Sequence, residues 1–97
     1  MKVEWTEPAI SMVEEIADYI ARDNSDAADR VAQRVRDAVN GLTTFPERAR
    51  PGRYLPGTRD LVISPYIAIF RIHGQVIEVL AVVDGRRGNI AEIARGV

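Results

Sequence analysis

The chain has no cysteine and only one histidine among its 97 residues. The lack of cysteine excludes disulfides and thiolate chemistry. It also disfavours a structural zinc site, because the single histidine is the only remaining ligand of the kinds that such sites prefer. No apolar run approaches the roughly 20 residues that a membrane-spanning helix requires. The segment from Met1 to Trp5 also lacks the apolar core of a signal peptide. We therefore expect a cytoplasmic protein that holds no metal ion and no cofactor.

Positive charge is scarce in the first half of the chain. Residues 1–45 contain five Lys or Arg against nine Asp or Glu, whereas residues 46–97 contain eight arginines against five acidic residues. The net charge is −1 and the pI is near 5.8. Nucleic-acid binders usually carry a strong positive excess, because contacts with phosphates supply most of their affinity. The composition therefore disfavours RNA or DNA as the main ligand, and the arginine-rich half favours an acidic protein partner.

Two amphipathic helices are predicted in the first half. Apolar residues at helical spacing predict a first helix from about Pro8 to Arg22, with Thr6 at the N-cap position. Residues 23–26 form a short connection, and a second apolar stripe continues until Phe45 and Pro46 end the helix. Because the connection is so short, the two helices are expected to form an antiparallel hairpin.

Strand patterns lie on both sides of this hairpin. Val3 and Trp5 alternate with a glutamate, as in a short edge strand. Residues 47–57 are rich in proline and glycine and are predicted to form a loop. Later elements are predicted as strands at Arg59–Ile63, Tyr66–Ile72 and Gln75–Val83, a hairpin turn at His73-Gly74, and a short helical segment from Ile90. The class is therefore α+β, in the order β-α-α-β-β-β.

Several short motifs occur along nearly the whole chain. They are Glu7-Pro8-Ala9 after Trp5, Asp18-Tyr19-Ile20, Phe45-Pro46, Arg50-Pro51-Gly52-Arg53, Gly57-Thr58-Arg59-Asp60-Leu61, Pro65-Tyr66, Phe70-Arg71-Ile72 and Gly85-Arg86-Arg87. In this order and spacing, the chain resembles the RelE/ParE superfamily of toxins from type II toxin–antitoxin systems, and it is most similar to the ParE branch. The resemblance implies one domain over residues 1–97, with an N-terminal strand and an antiparallel helical hairpin packed on a mainly antiparallel sheet.

The superfamily divides by mechanism. RelE-like members are similar to ribonucleases that cut messenger RNA on the ribosome, with basic side chains around the phosphate and a tyrosine or histidine near the C-terminus. ParE-like members are similar to inhibitors that poison DNA gyrase without catalysing a reaction. Here Tyr66 is followed by Ile67 instead of arginine, and no His, Tyr or Lys follows residue 83. The resemblance therefore implies no catalytic residues, although Asp84 stands where several ParE-like sequences carry histidine.

We expect five residues to contact the antitoxin or the target. They are Arg59, Tyr66, Arg71, Arg86 and Arg87. For Arg71 a second role stays open, an ion pair with Glu78 across the hairpin. Tyr66 is expected to begin the central strand with its hydroxyl group at the rim of the sheet.

The resulting interpretation is a toxin that inhibits growth by binding DNA gyrase. The resemblance also implies a hetero-oligomer with a cognate antitoxin, which would have a DNA-binding N-terminal part and a short acidic C-terminal segment. One alternative is a ribosome-dependent mRNA endonuclease with Arg59, Arg71 and Arg86 or Arg87 in a rearranged site. Another is an inactive member of the family that survives as a partner-binding module.

Overall fold

Residues 1–96, which the computed structural model describes, form five strands and three α-helices. The elements in chain order are β1 (Lys2–Trp5), α1 (Glu7–Ala21), α2 (Ser25–Asn40), β2 (Arg50–Pro51), β3 (Arg59–Ile63), β4 (Tyr66–His73), β5 (Val76–Asp84) and α3 (Ile90–Arg95). Two short 3-10 turns, Gly41–Thr43 and Pro46–Arg48, follow α2. The predicted α+β class and the order of its main elements are confirmed.

The two long helices begin at the caps that the sequence supplies. The Thr6 side chain accepts a hydrogen bond from the Ala9 N–H (3.3 Å), and its hydroxyl donates to the Val79 carbonyl (2.7 Å), which fixes the start of α1 to β5. At the start of α2, the Asn24 side-chain oxygen accepts a hydrogen bond from the Ala27 N–H (3.0 Å) and so caps that helix. The short connection makes the two helices an antiparallel hairpin, as predicted. No helix within residues 1–96 is long and apolar enough to cross a membrane.

The sheet is mixed, with the strand order β1-β5-β4-β3-β2. β1 pairs in parallel with β5, and all other neighbours are antiparallel. Tyr66 and Asp84 pair at one end of the β4–β5 hairpin, and His73 and Val76 pair at the other end. This register determines which side chains can meet at each end of the sheet.

Three details differ from the sequence prediction. α2 ends at Asn40, before the predicted end at Phe45 and Pro46, and a 3-10 turn at Gly41–Thr43 follows it. Residues 50 and 51 form the short strand β2 within the segment that was predicted to be a loop, because Arg50 and Pro51 pair with the start of β3. The hairpin turn lies at Gly74 and Gln75, one residue later than predicted, and His73 ends β4. Gly74 has a φ of 54°, which glycine adopts at the first central position of a tight hairpin turn without steric cost.

The two faces of the sheet pack in separate cores. One face, which includes Phe70, packs against α1 and α2. The other face, which includes Ile69, is covered by α3 and by Tyr54 and Leu55 from the loop after β2. Successive residues of β4 point to opposite faces, so an almost continuous apolar strand is what a sheet covered on both sides requires.

A buried carboxylate holds the loop between β2 and β3. The Asp60 side chain has no solvent exposure, and its Oδ2 accepts a hydrogen bond from the Arg53 N–H (3.2 Å) and lies 3.8 Å from Arg50 Nε. Gly52 closes the loop by donating to the Thr58 carbonyl (2.8 Å). A Cβ atom at position 52 would lie 2.2 Å from the Thr58 hydroxyl oxygen, so only glycine allows this approach.

Candidate binding cleft

A cleft with a volume of about 680 Å³ lies between the C-terminal half of α1 and one end of the sheet. α1 contributes five residues between Glu15 and Ile20 to its walls, and Arg22, the C-cap of the helix, contributes a sixth. The start of β4 contributes Tyr66, and the end of β5 contributes Asp84 together with the two arginines that follow. Three of the five residues predicted to bind a partner, Tyr66, Arg86 and Arg87, thus line one cleft.

The register of the sheet explains why these residues meet. Tyr66 and Asp84 are paired across β4 and β5, and paired residues share one face of a sheet. Tyr66 lies in the core on the helix side and is 8 % exposed, so this face points toward α1. The Gly85 N–H donates to the Pro65 carbonyl (2.7 Å), which holds the segment after β5 beside the start of β4.

Asp84 and Arg86 form a closed ion pair at the rim of the cleft. Arg86 Nε donates to Asp84 Oδ1 (2.9 Å), and Arg86 Nη2 donates to Asp84 Oδ2 (2.6 Å). The Arg86 backbone N–H also donates to Oδ1 (2.9 Å). The Arg86 side chain, and next its backbone N–H, lower the pKa of Asp84 from 3.8 to about 2. The same carboxylate raises the pKa of Arg86, so the charge of Arg86 is already balanced within the chain.

Arg87 differs from its neighbour. Within residues 1–96, its side chain takes part in no ion pair or side-chain hydrogen bond. It is exposed, and it also borders a smaller cavity of about 160 Å³ between α1, β5 and α3. Of these two arginines, Arg87 is therefore the one whose charge is available to a carboxylate or another acceptor on a partner.

The α1 wall carries both charge signs and an exposed aromatic ring. Four of its residues share one helix face, at positions i, i+3, i+4 and i+7: Glu15, Asp18, Tyr19 and Arg22. The Tyr19 side chain is 70 % exposed, and the Arg22 guanidinium lies 5.5 Å from its ring centre, within the range of a cation–π contact. This face resembles the exposed aromatic and arginine pairs that are enriched at protein interfaces.

The cleft as a whole is balanced in charge. Its walls carry the carboxylates of Glu15, Asp18 and Asp84 and the guanidinium groups of Arg22, Arg86 and Arg87. Equal numbers of opposite charges give no strong net positive potential for a run of phosphates. The arrangement is suited to a protein surface or peptide with both charge signs.

The other two predicted residues lie outside this cleft. Arg59 is exposed beside Pro51, Thr58 and Ile72. Arg71 lies five residues from Tyr66 along β4, a distance of about 16 Å at about 3.3 Å per residue. Arg59 pairs with Phe70, so Arg71, the next residue, points to the opposite face of the sheet.

Arg71 makes the ion pair that the sequence left open. Its Nε lies 3.9 Å from Glu78 Oε1, and His73 Nε2 lies 3.0 Å from the same oxygen. Both side chains are about half exposed. The structure thus gives Arg71 a partner within the chain, and it separates the five predicted residues into three places.

The apolar spacing of the first helix does not reveal the contribution of α1, because Glu15 and Asp18 also fit a solvated helix face. The helical spacing that brings Tyr19 together with the neighbouring carboxylates and Arg22 is the signal that the sequence offers, since tyrosine and arginine are enriched at protein interfaces. The closure of Arg86 by Asp84 carried no such signal, because Asp84 ends β5 and Arg86 lies in the irregular segment that follows.

The comparisons with known proteins identify toxins of type II toxin–antitoxin systems and their relatives. Residues 3–88 match the family described as "ParE toxin of type II toxin-antitoxin system, parDE". The chain is 42 % identical over 88 residues to the putative toxin Y4kP of Sinorhizobium fredii, covering 89 % of this chain and 90 % of that protein. It is 31 % identical over 83 residues to the toxin RelE2 of Caulobacter vibrioides, covering 84 % of this chain and 91 % of that protein.

Solved structures show the same fold. A chain of the chromosomal ParDE TA system from P. aeruginosa superimposes with a TM-score of 0.75 at 27 % identity, covering 87 % of this chain and 95 % of that one. A chain of the toxin–antitoxin complex RelBE2 from Mycobacterium tuberculosis superimposes with a TM-score of 0.67 at 19 % identity, covering 86 % and 95 %, which supports the fold alone. The family profile covers most of the chain, and the chain therefore belongs to the ParE toxin family of type II toxin–antitoxin systems.

Proposed function

We propose that this ParE-family toxin inhibits growth by binding and poisoning DNA gyrase, without catalysing a reaction of its own. In this proposal the cleft beside α1 is a protein-binding surface, with Arg87 as its available cation and Tyr19 as its exposed aromatic contact. The toxin acts in the cytoplasm, where gyrase is found. The observation that carries the proposal is the charge-balanced cleft in which Asp84 already neutralises Arg86.

The chemistry of the cleft supports binding more than RNA cleavage. Cleavage through a 2′-hydroxyl needs a base, an acid and cations on the phosphate. The residues described as lining the cleft include neither histidine nor lysine. His73 lies at the opposite end of β4, next to Glu78. Asp84 occupies two of the five N–H donors of the Arg86 guanidinium and offsets its charge, which makes Arg86 a weaker ligand for a phosphate than an unpaired arginine.

The geometry also disfavours the alternative endonuclease site. That site would use Arg59, Arg71 and one of the two arginines after β5. Arg59 and Arg71 point to opposite faces of the sheet, and Arg71 is paired with Glu78. Arg86 and Arg87 lie at the other end of β4. One scissile phosphate cannot contact all three places in this fold.

Binding to a cognate antitoxin is the second part of the proposal. The solved structures that this chain resembles come from a ParDE TA system and a toxin–antitoxin complex. An antitoxin segment with acidic residues would find cations at three separated places, at Arg59 and Arg71 on opposite faces of the sheet and at Arg87 near the other end of β4. A segment that reached all three would therefore have to pass around an edge of the sheet. Such a segment folds as it binds, and it can cover a large surface. Co-expression with the product of the neighbouring reading frame is expected to yield a stable complex, and recovery of the toxin alone would contradict this part.

The gyrase part is tested with purified components. Relaxed plasmid, gyrase and ATP are incubated with increasing toxin, and both supercoiling and gyrase-linked DNA breaks are measured. We expect supercoiling to fall and breaks to accumulate. Normal supercoiling without breaks at all toxin concentrations would reject gyrase as the target. Transcript cleavage in a translating extract, lost in Arg87→Ala, would support the endonuclease in its place.

A pair of variants tests the role of the cleft. Arg87→Ala removes an exposed cation whose side chain makes no ion pair or hydrogen bond with residues 1–96, so the fold should be unchanged. Loss of a hydrogen bond to a charged group costs about 1.5 kcal/mol, which corresponds to about a tenfold weaker inhibition. Arg30→Ala, on the exposed side of α2, is the matched control and should inhibit like the unchanged toxin. Equal loss in both variants would show that the effect does not depend on the cleft.

A further inference from the structure

β1 is an edge strand whose outer side has no partner within residues 1–96. Its neighbour in the sheet is β5 on one side only. The other edge of the sheet is protected, because β2 has two residues and one of them is a proline. β1 has four residues and no proline. An unprotected strand edge presents free N–H and C=O groups that can pair with another strand.

The sequence around β1 is complementary to itself. Val3 is the centre of the segment Met1-Lys2-Val3-Glu4-Trp5. Lys2 and Glu4 flank it directly, and Met1 and Trp5 lie one residue further out. When two such segments run antiparallel with Val3 opposite Val3, each lysine faces a glutamate and each methionine faces a tryptophan. We propose that β1 pairs antiparallel with β1 of a second copy of this chain, which would join two five-stranded sheets into one continuous sheet.

The charges favour this register. Lys2 Nζ lies 3.3 Å from Glu4 Oε1 within the strand, and both side chains are more than half exposed. In the proposed dimer, each Lys2 also faces the partner's Glu4. The two-fold axis produces this contact twice, because an isologous interface repeats each contact. Opposite charges placed directly across two strands stabilise the pairing, and like charges destabilise it.

The apolar side chains favour the same arrangement. Val3 and Trp5 lie on the face that packs against the helical hairpin. Next to Trp5 is a groove of about 270 Å³ that is also lined by Ile10 and Val13 and is bordered by the charged residues Glu14 and Arg36. Ile10 is 44 % exposed. Met1, which is 47 % exposed, stands opposite the partner's Trp5 in this register. The methionine of one copy would therefore lie over the apolar groove of the other and reduce its exposed apolar surface.

The interface is small, so the dimer is expected to be weak. About five residues from each copy take part, which is well below the roughly 20–30 residues per side of a standard stable interface. The dissociation constant should therefore lie in the micromolar range or above. None of the residues in β1 lines the cleft beside α1, so this inference and the proposed function can succeed or fail separately.

Sedimentation velocity over toxin concentrations from about 1 μM to about 1 mM tests the proposal. The unchanged chain should shift from monomer to dimer within this range. Lys2→Glu and Glu4→Lys should each weaken dimerisation at least about tenfold, because two attractive pairs become two repulsive ones. The double variant Lys2→Glu with Glu4→Lys restores opposite charges across the axis, and it should dimerise within about threefold of the unchanged chain.

Two controls keep the result specific. Glu47→Lys reverses an exposed charge in a 3-10 turn and should dimerise normally. Thermal unfolding of every variant confirms that each is folded, which matters for Lys2→Glu because it places two glutamates close together within one strand. A chain that stays monomeric at all concentrations would overturn the proposal. A dimer that ignores the single charge reversals, or that the double variant does not restore, would also overturn it.

Discussion

The buried carboxylate of Asp60 gives the sharpest test of how this fold is stabilised. Asp60 has no exposed side-chain surface, although aspartate is almost never fully buried without a partner. Its Oδ2 accepts one backbone hydrogen bond and lies 3.8 Å from Arg50 Nε, while its Oδ1 has no hydrogen-bond partner. Asp60→Asn keeps the shape and one acceptor oxygen, and it removes the negative charge that faces Arg50.

The expected loss follows from the burial of the two partners. Breaking a fully buried ion pair by removing one charge costs about 3–5 kcal/mol. The Arg50 side chain is 34 % exposed, so water can reach part of the guanidinium, and the Arg53 N–H keeps an acceptor. We therefore expect Asp60→Asn to lower the free energy of unfolding by about 2 kcal/mol. For a domain of this size, about 2 kcal/mol corresponds to a decrease in Tm of about 8–16 °C.

Urea unfolding followed by circular dichroism measures this loss directly. Asp29→Asn, on the exposed surface of α2, is the matched control and should change stability by less than about 0.5 kcal/mol. The double variant Asp60→Leu with Arg50→Met should recover much of the loss of Asp60→Leu alone, because apolar residues can replace a buried ion pair. A decrease below about 0.5 kcal/mol for Asp60→Asn would refute the view that this pair holds the loop between β2 and β3.

Two further predictions concern the same loop and the cleft. Gly52→Ala places a Cβ atom 2.2 Å from the Thr58 hydroxyl oxygen and should cost about 1–3 kcal/mol in urea unfolding. Gly88→Ala, which meets nothing within 4 Å, should be nearly neutral, and equal losses would contradict the steric reason. Arg86→Gln should raise the pKa of Asp84 from about 2 toward 3.8 in an NMR titration of its carboxyl group. Because the folded-state pKa is the lower one, the ion pair contributes fully above pH 3.8 and is lost as the pH falls through about 2. A midpoint that does not move would show that another group lowers the pKa.

Local sequence signals determined the elements of this fold. The Thr6 cap, the apolar spacing of the helices and the apolar runs of the strands predicted α1 to within one residue at each end, and β3 at its observed bounds. These signals need only neighbours within a few residues, since caps, helical faces and strand alternation are short-range properties. The ordered motifs also identified the family, which the comparisons confirm.

The tertiary structure alone decided which side chains meet. Only the register of β4 and β5 places Tyr66 beside Asp84, and only the packing of α1 on that end of the sheet turns a charged helix face into the wall of a cleft. The same is true of Asp60, which a strand pattern presents as one polar residue among apolar ones, and which the loop after β2 encloses. Contacts between residues far apart in sequence depend on strand order and helix packing, and a local pattern does not contain that geometry.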